Sequence, residues 1–268
     1  MNFPVDNLCV LASGRSGGTR PHPYPQAGVW ILGIGASITR VQRIFPGPQV
    51  GVDPIDLYRT IGQVRPAHRP WVELCMVASI DGTTSVAGRS TGLGGPSDLA
   101  VLAALRERAD VIIVGSATAH TERYRAPRKA GQRVGVVTAT GQVDVNLPLF
   151  ESGAGFLITT AEAPSHGLPA LRSSGDTVDL AAAIAALDAD LVHAEGGPTL
   201  NAALLHADLV DEVNLTVAPH LVGGPGQRVV NPSDTEVLQR MELVQVCTDD
   251  GYLFLRYVRT AQLGNTTR

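Results

Sequence analysis

The 268-residue chain is almost without lysine: Lys129 is the only one, so arginine carries nearly all of the positive charge. Lysine and arginine together number 21 against 25 acidic residues, a formal net charge of −4. Without a basic surplus, no general electrostatic attraction to nucleic acid is expected. A small anionic substrate held by local arginines such as Arg106, Arg125 and Arg128 stays compatible with this charge. Cysteine is scarce as well. Cys9, Cys75 and Cys247 are far apart, odd in number and form no C-x-x-C, which argues against a disulfide framework or a cysteine zinc site. No apolar run approaches the roughly 18 residues needed to span a bilayer, and no basic segment leads into an apolar stretch at the N-terminus as in a secretory signal. The cytoplasm is the expected location, with no membrane partner.

What is present is ample core material, 44% hydrophobic residues, broken by 29 glycines and 18 prolines. Residues 1–66 read as an N-terminal extension, partly irregular. "ASGRSGGTRPHPYPQAG" and "IFPGPQVGVDP" are too rich in glycine and proline to hold a regular element, while "VWILGIGASITRV" between them suits a strand and "DPIDLYRTI" a short helix. From Pro70 the pattern becomes regular. Buried strands are expected at 71–80, 111–118, 133–141, 155–160 and 190–195, and helices at 96–108, 178–187 and 198–207. In the helix at 96–108, residues 99, 102 and 105 give the apolar face. Residues 210–224 read as a long strand followed by a loop, and 241–259 as two antiparallel strands joined at Asp249-Asp250-Gly251. Alternating strands and helices closed by a hairpin imply an α/β fold, a mixed and mostly parallel sheet with flanking helices and a C-terminal antiparallel hairpin. The domain is expected over 67–260, with 261–268 as a tail. Ligands of such sheets bind at the carboxyl ends of the strands, which puts Gly115–Thr118, Thr138–Gly141 and Glu195–Thr199 on one rim.

Several motifs compete for that rim. His193-Ala194-Glu195 has the H-x-E spacing of a zinc deaminase, but only Cys247 follows it and no P-C-x-x-C exists. Catalytic zinc needs about three protein ligands, so no metal site is expected and His193 reads as a strand residue. "GRSGG" (14–18) lacks the helix a nucleophile elbow requires, and "GIGASI" (33–38) lacks the third glycine of a dinucleotide fingerprint. "EGGPTL" is a better candidate. Pro198 suits a first helical turn, and Gly196 and Gly197 leave room for a phosphate to meet backbone N–H groups; a purely structural turn is an equal reading. In "VGSATAHTERY", Gly115 and the small hydroxyl residues after it would let a cofactor approach, with Thr118 as a donor, unless they merely cap a helix. Asp98 falls in a first helical turn, where the helix dipole alone accounts for a carboxylate. Ser79 and Asp81 in "SIDG" suit an ordinary turn or a substrate contact.

Taken together, "VASIDGTTSVAGRSTGLGGPSD", "LRERADVIIVGSATAHTERY", "VVTATGQV", "HAEGGPTLNAALLHADLVDEVNLTVAPHLVGG" and "DDGYLFLRYVR" resemble, in order, the reductase domain of the bifunctional riboflavin-biosynthesis deaminase–reductase in its stand-alone form. The resemblance spans about residues 66–260. It implies a dihydrofolate reductase-like fold, NADPH as cofactor and a homodimer. It further implies that Gly196, Gly197, Pro198 and Thr199 seat the cofactor pyrophosphate, that Thr118 and Glu122 touch the cofactor, and that Thr138, Ala139, Thr140 and Gly141 approach the adenosine 2′-phosphate, with Arg133 as a possible helper. Glu195 then faces substrate, and Asp98 occupies the position of the pterin-binding acid in dihydrofolate reductases. Catalysis is assigned to Asp98 and Glu195, and substrate binding to Ser79, Asp81, Asp98, Arg106, Arg125 and Glu195. One stretch departs from the family: A-D-D-P with a following arginine is replaced by "HTERYRAPRKAG", where Arg125, Arg128 or Lys129 would have to supply the missing cation. The implied activity is hydride transfer to a C=N bond, of a phosphoribosylaminopyrimidine first and of a pteridine second. A protein that binds NADPH without turnover is the alternative from another class.

Overall fold

The computed structural model describes residues 41–59 and 66–260. Strands β1 (Val41–Phe45) and β2 (Val50–Val52) and the short helix α1 (Pro54–Leu57) precede the long strand β3 (Trp71–Ser79). Then follow α2 (Pro96–Arg108), β4 (Val111–Gly115), α3 (Ser116–Thr121), β5 (Arg133–Thr138), α4 (Pro148–Glu151), β6 (Gly155–Thr160) and β7 (Ala170–Ser173). The chain closes with α5 (Leu180–Ala185), β8 (Leu191–Ala194), α6 (Pro198–His206), β9 (Glu212–Ala218), β10 (Met241–Asp249) and β11 (Tyr252–Arg259).

The strands form one sheet in the order β2-β1-β10-β11-β9-β3-β8-β4-β5-β6-β7. Neighbours from β9 to β7 pair in parallel, and those from β9 to β2 pair antiparallel. The near-continuous apolar runs of β3, β4, β6 and β8 suit this centre, because a parallel strand covered on both faces has no polar side to present. The mixed, mostly parallel sheet with its C-terminal hairpin is the architecture expected from the sequence.

Three local expectations change. The run at 111–118 leaves the sheet at Gly115 and turns directly into α3, and the run at 133–141 ends at Thr138. "IFPGPQVGV", expected to be irregular, forms the β1–β2 hairpin against β10. Its prolines fall in the turn between the strands, where no ladder N–H is required. The motifs "GRSGG" and "GIGASI", and most of "VWILGIGASITRV", lie outside the described residues, as does 261–268.

Helix α2 shows why this frame positions a site. Pro96 starts it after Gly95, and Arg106 and Arg108 sit in the last turn, where cations meet the helix dipole favourably. Ser97, Val101, Ala104 and Leu105 are buried, a stripe at helical spacing that packs on the sheet. The expected face through residue 99 is rotated: Leu99 is exposed, and with Asp98, Leu102 and Arg106 it forms the neighbouring stripe. Beneath the buried stripe lies a cluster containing Tyr58, Leu93, Ala218, Cys247 and Phe254. The opposite sheet face carries the main apolar cluster under α5 and α6, built on Val72, Leu74, Ile113, Val192 and Leu200.

Leu105 is fully buried at the centre of the α2 contact. Leu105→Ala is expected to cost about 2–5 kcal/mol of stability by urea denaturation; a loss below about 1 kcal/mol would show that α2 is not held this way.

Candidate active site

A cleft of about 910 Å³ opens at the carboxyl end of the parallel strands. The side stripe of α2 forms one wall, with Asp98, Leu102 and Arg106 spaced by four residues and therefore aligned. The opposite wall is the glycine turn after β8, with Gly197 and Pro198, and the start of α3 at Ala117 and Thr118. Two loops close the rim, residues 84–88 after β3 and 222–227 after β9.

Two carboxylates meet in this cleft in opposite environments. Glu195 follows β8 and accepts a forked pair of hydrogen bonds from Arg106, Nε to Oε1 at 2.5 Å and Nη2 to Oε2 at 2.6 Å. The Tyr124 hydroxyl donates to the same Oε2 at 2.5 Å, and the Arg106 guanidinium lies over the Tyr124 ring. Burial alone would raise this carboxyl, but Arg106 and then His193 outweigh it and hold Glu195 far below the usual carboxylate range. Glu195 is thus favoured as a carboxylate. Asp98 has no such cation. Burial raises its carboxyl above the usual value, and a hydrogen bond from Thr216 offsets only part of that. Gly94 gives it room, since a Cβ there would stand 2.9 Å from Asp98 Oδ2.

Behind Glu195 the sheet carries a row of buried charge. His193, with no exposed surface, places Nδ1 at 2.8 Å from Glu73 Oε1. Its Nε2 faces Glu195 Oε1 at 3.3 Å, close enough for charge attraction though without good hydrogen-bond alignment. Glu73 also binds Arg108, which reaches Glu212 at 2.6 Å, and Arg256 closes on Glu212 at 2.9 and 3.0 Å. Register pairs Glu73 with His193 on one side and Glu212 on the other, so the row crosses β8, β3, β9 and β11.

The glycine turn is shaped by contact. Gly196 has φ +81°, and a Cβ there would meet Met76 Sδ at 2.8 Å. A Cβ on Gly197 would come within 2.6 Å of Thr118 Oγ1. Gly115 donates its N–H to the Gly196 carbonyl at 2.7 Å, which ties the two rim turns together. Gly197 caps α6 without a side-chain hydrogen bond, leaving the helix N–H groups without a side-chain partner at that end. Thr199 lies beside them, its hydroxyl accepting from Asn231 Nδ2 at 3.0 Å.

Other expected residues are distributed unevenly. Thr118, Glu122 and Arg125 line the cleft. Glu122 spends one carboxylate oxygen on the N–H and hydroxyl of Ser90, both at 2.9 Å. Ser79 and Asp81 are outside the cleft lining: the Ser79 hydroxyl donates to Asp81, which accepts from Val222 N–H at 3.2 Å and Gly223 N–H at 2.7 Å. Those donors hold the Asp81 carboxyl down to about 2, the Ser79 hydroxyl contributing most. The pair braces the 222–227 loop, whose residues line the cleft rim. Thr138, Ala139, Thr140 and Gly141 end β5 on the same rim but do not line the cleft. Arg133 starts β5, at the far end of that strand, and stacks on Phe156, so it is remote from this loop. Lys129 donates to the Ala109 carbonyl below β4 and is not among the residues that line the cleft.

Sequence reading passed over Tyr124, Arg123 and the Glu73–Arg108 pair. Arg123 lines the cleft with a positive φ of 51°, and no spacing rule marks it. Glu73 did carry a signal, as a lone carboxylate inside the buried run "WVELCMVAS" demands a partner.

Gly197→Ala should lower stability by about 1–3 kcal/mol through overpacking on Thr118. Thr118→Ala added to it should restore part of that loss in thermal melts, because the next nearest atom, Thr118 Cβ, is 3.9 Å away. Strict additivity of the two changes would contradict the contact.

Residues 70–255 match the RibD C-terminal domain family. Over 181 residues the chain is 30% identical to the 2,5-diamino-6-ribosylamino-4(3H)-pyrimidinone 5′-phosphate reductase of Methanothermobacter thermautotrophicus, covering 60% of this chain and 83% of the relative. Among solved structures, a pyrimidine reductase-like protein of Corynebacterium diphtheriae superposes with a TM-score of 0.63 at 22% identity, covering 72% of this chain and 92% of that one. RibD of Acinetobacter baumannii gives 0.63 at 21%, covering 73% of this chain and 59% of the longer protein. These structures share the fold, and the sequence match over more than two thirds of the chain settles the relation: this protein belongs to the RibD C-terminal domain family.

Proposed function

We propose that this protein is an NADPH-dependent reductase of riboflavin biosynthesis that adds hydride to the C=N bond of a ring-opened phosphoribosylaminopyrimidine. One observation carries the reading: in a chain of this family, a carboxyl with a raised proton affinity, Asp98, faces an uncapped helix terminus across one cleft. The M. thermautotrophicus relative is named for such a pyrimidine, and its 30% identity supports the same substrate class here.

The residues present fit the cofactor. Gly196 and Gly197 remove side chains where a diphosphate must approach backbone, and the α6 N-terminus, at the positive end of the helix dipole, favours that anion. Thr118 stands beside the turn with its hydroxyl towards it. Ala139 and Thr140, exposed on the neighbouring rim, are the proposed neighbours of the adenosine 2′-phosphate. When bound, NADPH supplies the hydride for the imine carbon. Asp98 gives its proton to the imine nitrogen, so that C=N becomes CH–NH, and regains one from solvent. Glu195, kept ionised, fixes Arg106 and Tyr124 as walls for the pyrimidine, while Arg123 and Arg125 at the cleft edge give the ribose phosphate a cationic partner. A pteridine, which also offers a C=N bond, is the second reading because Asp98 suits it equally. The expected assembly is a homodimer in the cytoplasm; among the described residues no helix is long and apolar enough to cross a membrane.

Loss of absorbance at 340 nm with the diaminopyrimidinone phosphate, the aminouracil phosphate and dihydrofolate, run side by side, separates the readings. Turnover with a pyrimidine is expected; turnover with dihydrofolate alone, or with none, overturns the proposal. Asp98→Asn should lower kcat by about 10²–10⁴-fold while leaving NADPH affinity unchanged. Equal losses in both would remove Asp98 from the chemistry.

A further inference from the structure

His193 has no part in the chemistry above, yet it lies completely buried in β8, directly behind Glu195. Both of its ring nitrogens face carboxylate oxygens, Nδ1 towards Glu73 at 2.8 Å and Nε2 towards Glu195 at 3.3 Å. A neutral imidazole has one N–H and one lone pair, so either tautomer would set a lone pair against a carboxylate. Only the imidazolium offers an N–H to each.

The surroundings agree. From β3 the ring meets Glu73, backed by Arg108, and from the end of its own strand Glu195, backed by Arg106 of α2 and Tyr124. Its register neighbour on β4 is the apolar Ile112. Glu212 and Asn214 of β9 and Arg256 of β11 extend the row beyond Glu73. Cys75, also on β3, keeps its thiol neutral because burial raises it well above its usual value. Burial would by itself depress the imidazole, but the contacts with Glu195 and Glu73 outweigh it and push the ring up to about 9.

We propose that His193 is a positioning residue for the cleft: as a buried imidazolium it clamps Glu195, and through Glu195 it holds Arg106 and Tyr124 in place for the substrate. On deprotonation the closer Nδ1–H stays with Glu73, and a lone pair is left facing Glu195 at 3.3 Å. The clamp then becomes a repulsion. The sign follows from linkage: the stability contributed by the ring is complete below its ordinary value of 6.5 and is lost as pH rises through about 9. The role in substrate binding rests on the reductase reading, whereas the clamp itself does not.

The test uses the full chain with ring-labelled histidine and labelled arginine. The His193 resonance, assigned by its absence in His193→Gln, should be that of an imidazolium at neutral pH and should titrate near pH 9. The Arg106 Nε resonance should move with the same midpoint. A ring already neutral at neutral pH, or an Arg106 signal that ignores its titration, overturns the proposal whether or not the protein turns over a pyrimidine. In kinetics, the pyrimidine KM should rise about tenfold between neutral pH and about pH 10, the effect of one lost charge-assisted contact. NADPH affinity should stay constant. His193→Gln should start from the raised KM and lose the alkaline limb, and a variant with unchanged KM and profile contradicts the clamp. Should that variant fail to fold, through-bond connection of the ring to the His193 backbone amide assigns the wild-type resonance, and the wild-type titration decides the matter alone.

Discussion

Glu73, Glu195 and Glu212 are carboxylates set in the interior of a protein sheet, and everything around the cleft depends on how they are neutralised. A buried carboxylate left alone costs several kcal/mol and would take up a proton instead. Arg106 and Arg108 prevent this for Glu195 and Glu73, Arg256 pairs with Glu212, and two of these three cations come from the last turn of α2. Satisfying the buried acids therefore fixes where α2 lies and how it is rotated. With that rotation set, Asp98 and Leu102 turn towards the cleft and Leu105 towards the core. The charge row selects one arrangement of the site more than it adds to stability, as buried ion pairs often do no better than apolar residues of equal size.

The same neutralisation divides the acids of the cleft. Glu195 has a guanidinium, a phenol hydroxyl and an imidazole around it, and its proton is driven off. Asp98, more than two helix turns from Arg106 along α2, keeps a raised proton affinity through burial. A reduction that adds hydride to carbon and a proton to nitrogen needs one group of each kind, a fixed charge to orient and an acid to donate. The glycine turn on the opposite wall completes the arrangement with backbone donors for an anion.

Much of this was legible in the sequence, for reasons that differ from residue to residue. The mostly parallel sheet followed from apolar runs alternating with helical spacing, and "EGGPTL" announced its turn because proline and paired glycines have few other uses there. Asp98 and Arg106 could each be singled out as candidates, though not as one stripe, because the apolar face was read through 99, 102 and 105. The engagement of Tyr124 with Glu195 could not, because 71 residues separate them and only the closed sheet brings them together. The β1–β2 hairpin was hidden by prolines that in fact occupy its turn, and "SIDG" left a turn and a substrate contact equally open until the Ser79–Asp81 hydrogen bond was in view. The H-x-E spacing, set aside as a metal motif, still brings His193 and Glu195 together: Nε2 and Oε1 lie 3.3 Å apart at the end of the buried charge row.

The central claim is that two carboxylates facing one cleft hold opposite protonation tendencies. Carbon-13 titration of the side-chain carboxyl groups, with Asp98→Asn and Glu195→Gln used for assignment, measures this directly. Asp98 is expected to titrate above the ordinary aspartate value of 3.8, and Glu195 to remain ionised through the acid range until the protein unfolds. A Glu195 that takes up its proton at higher pH than Asp98 would contradict the account.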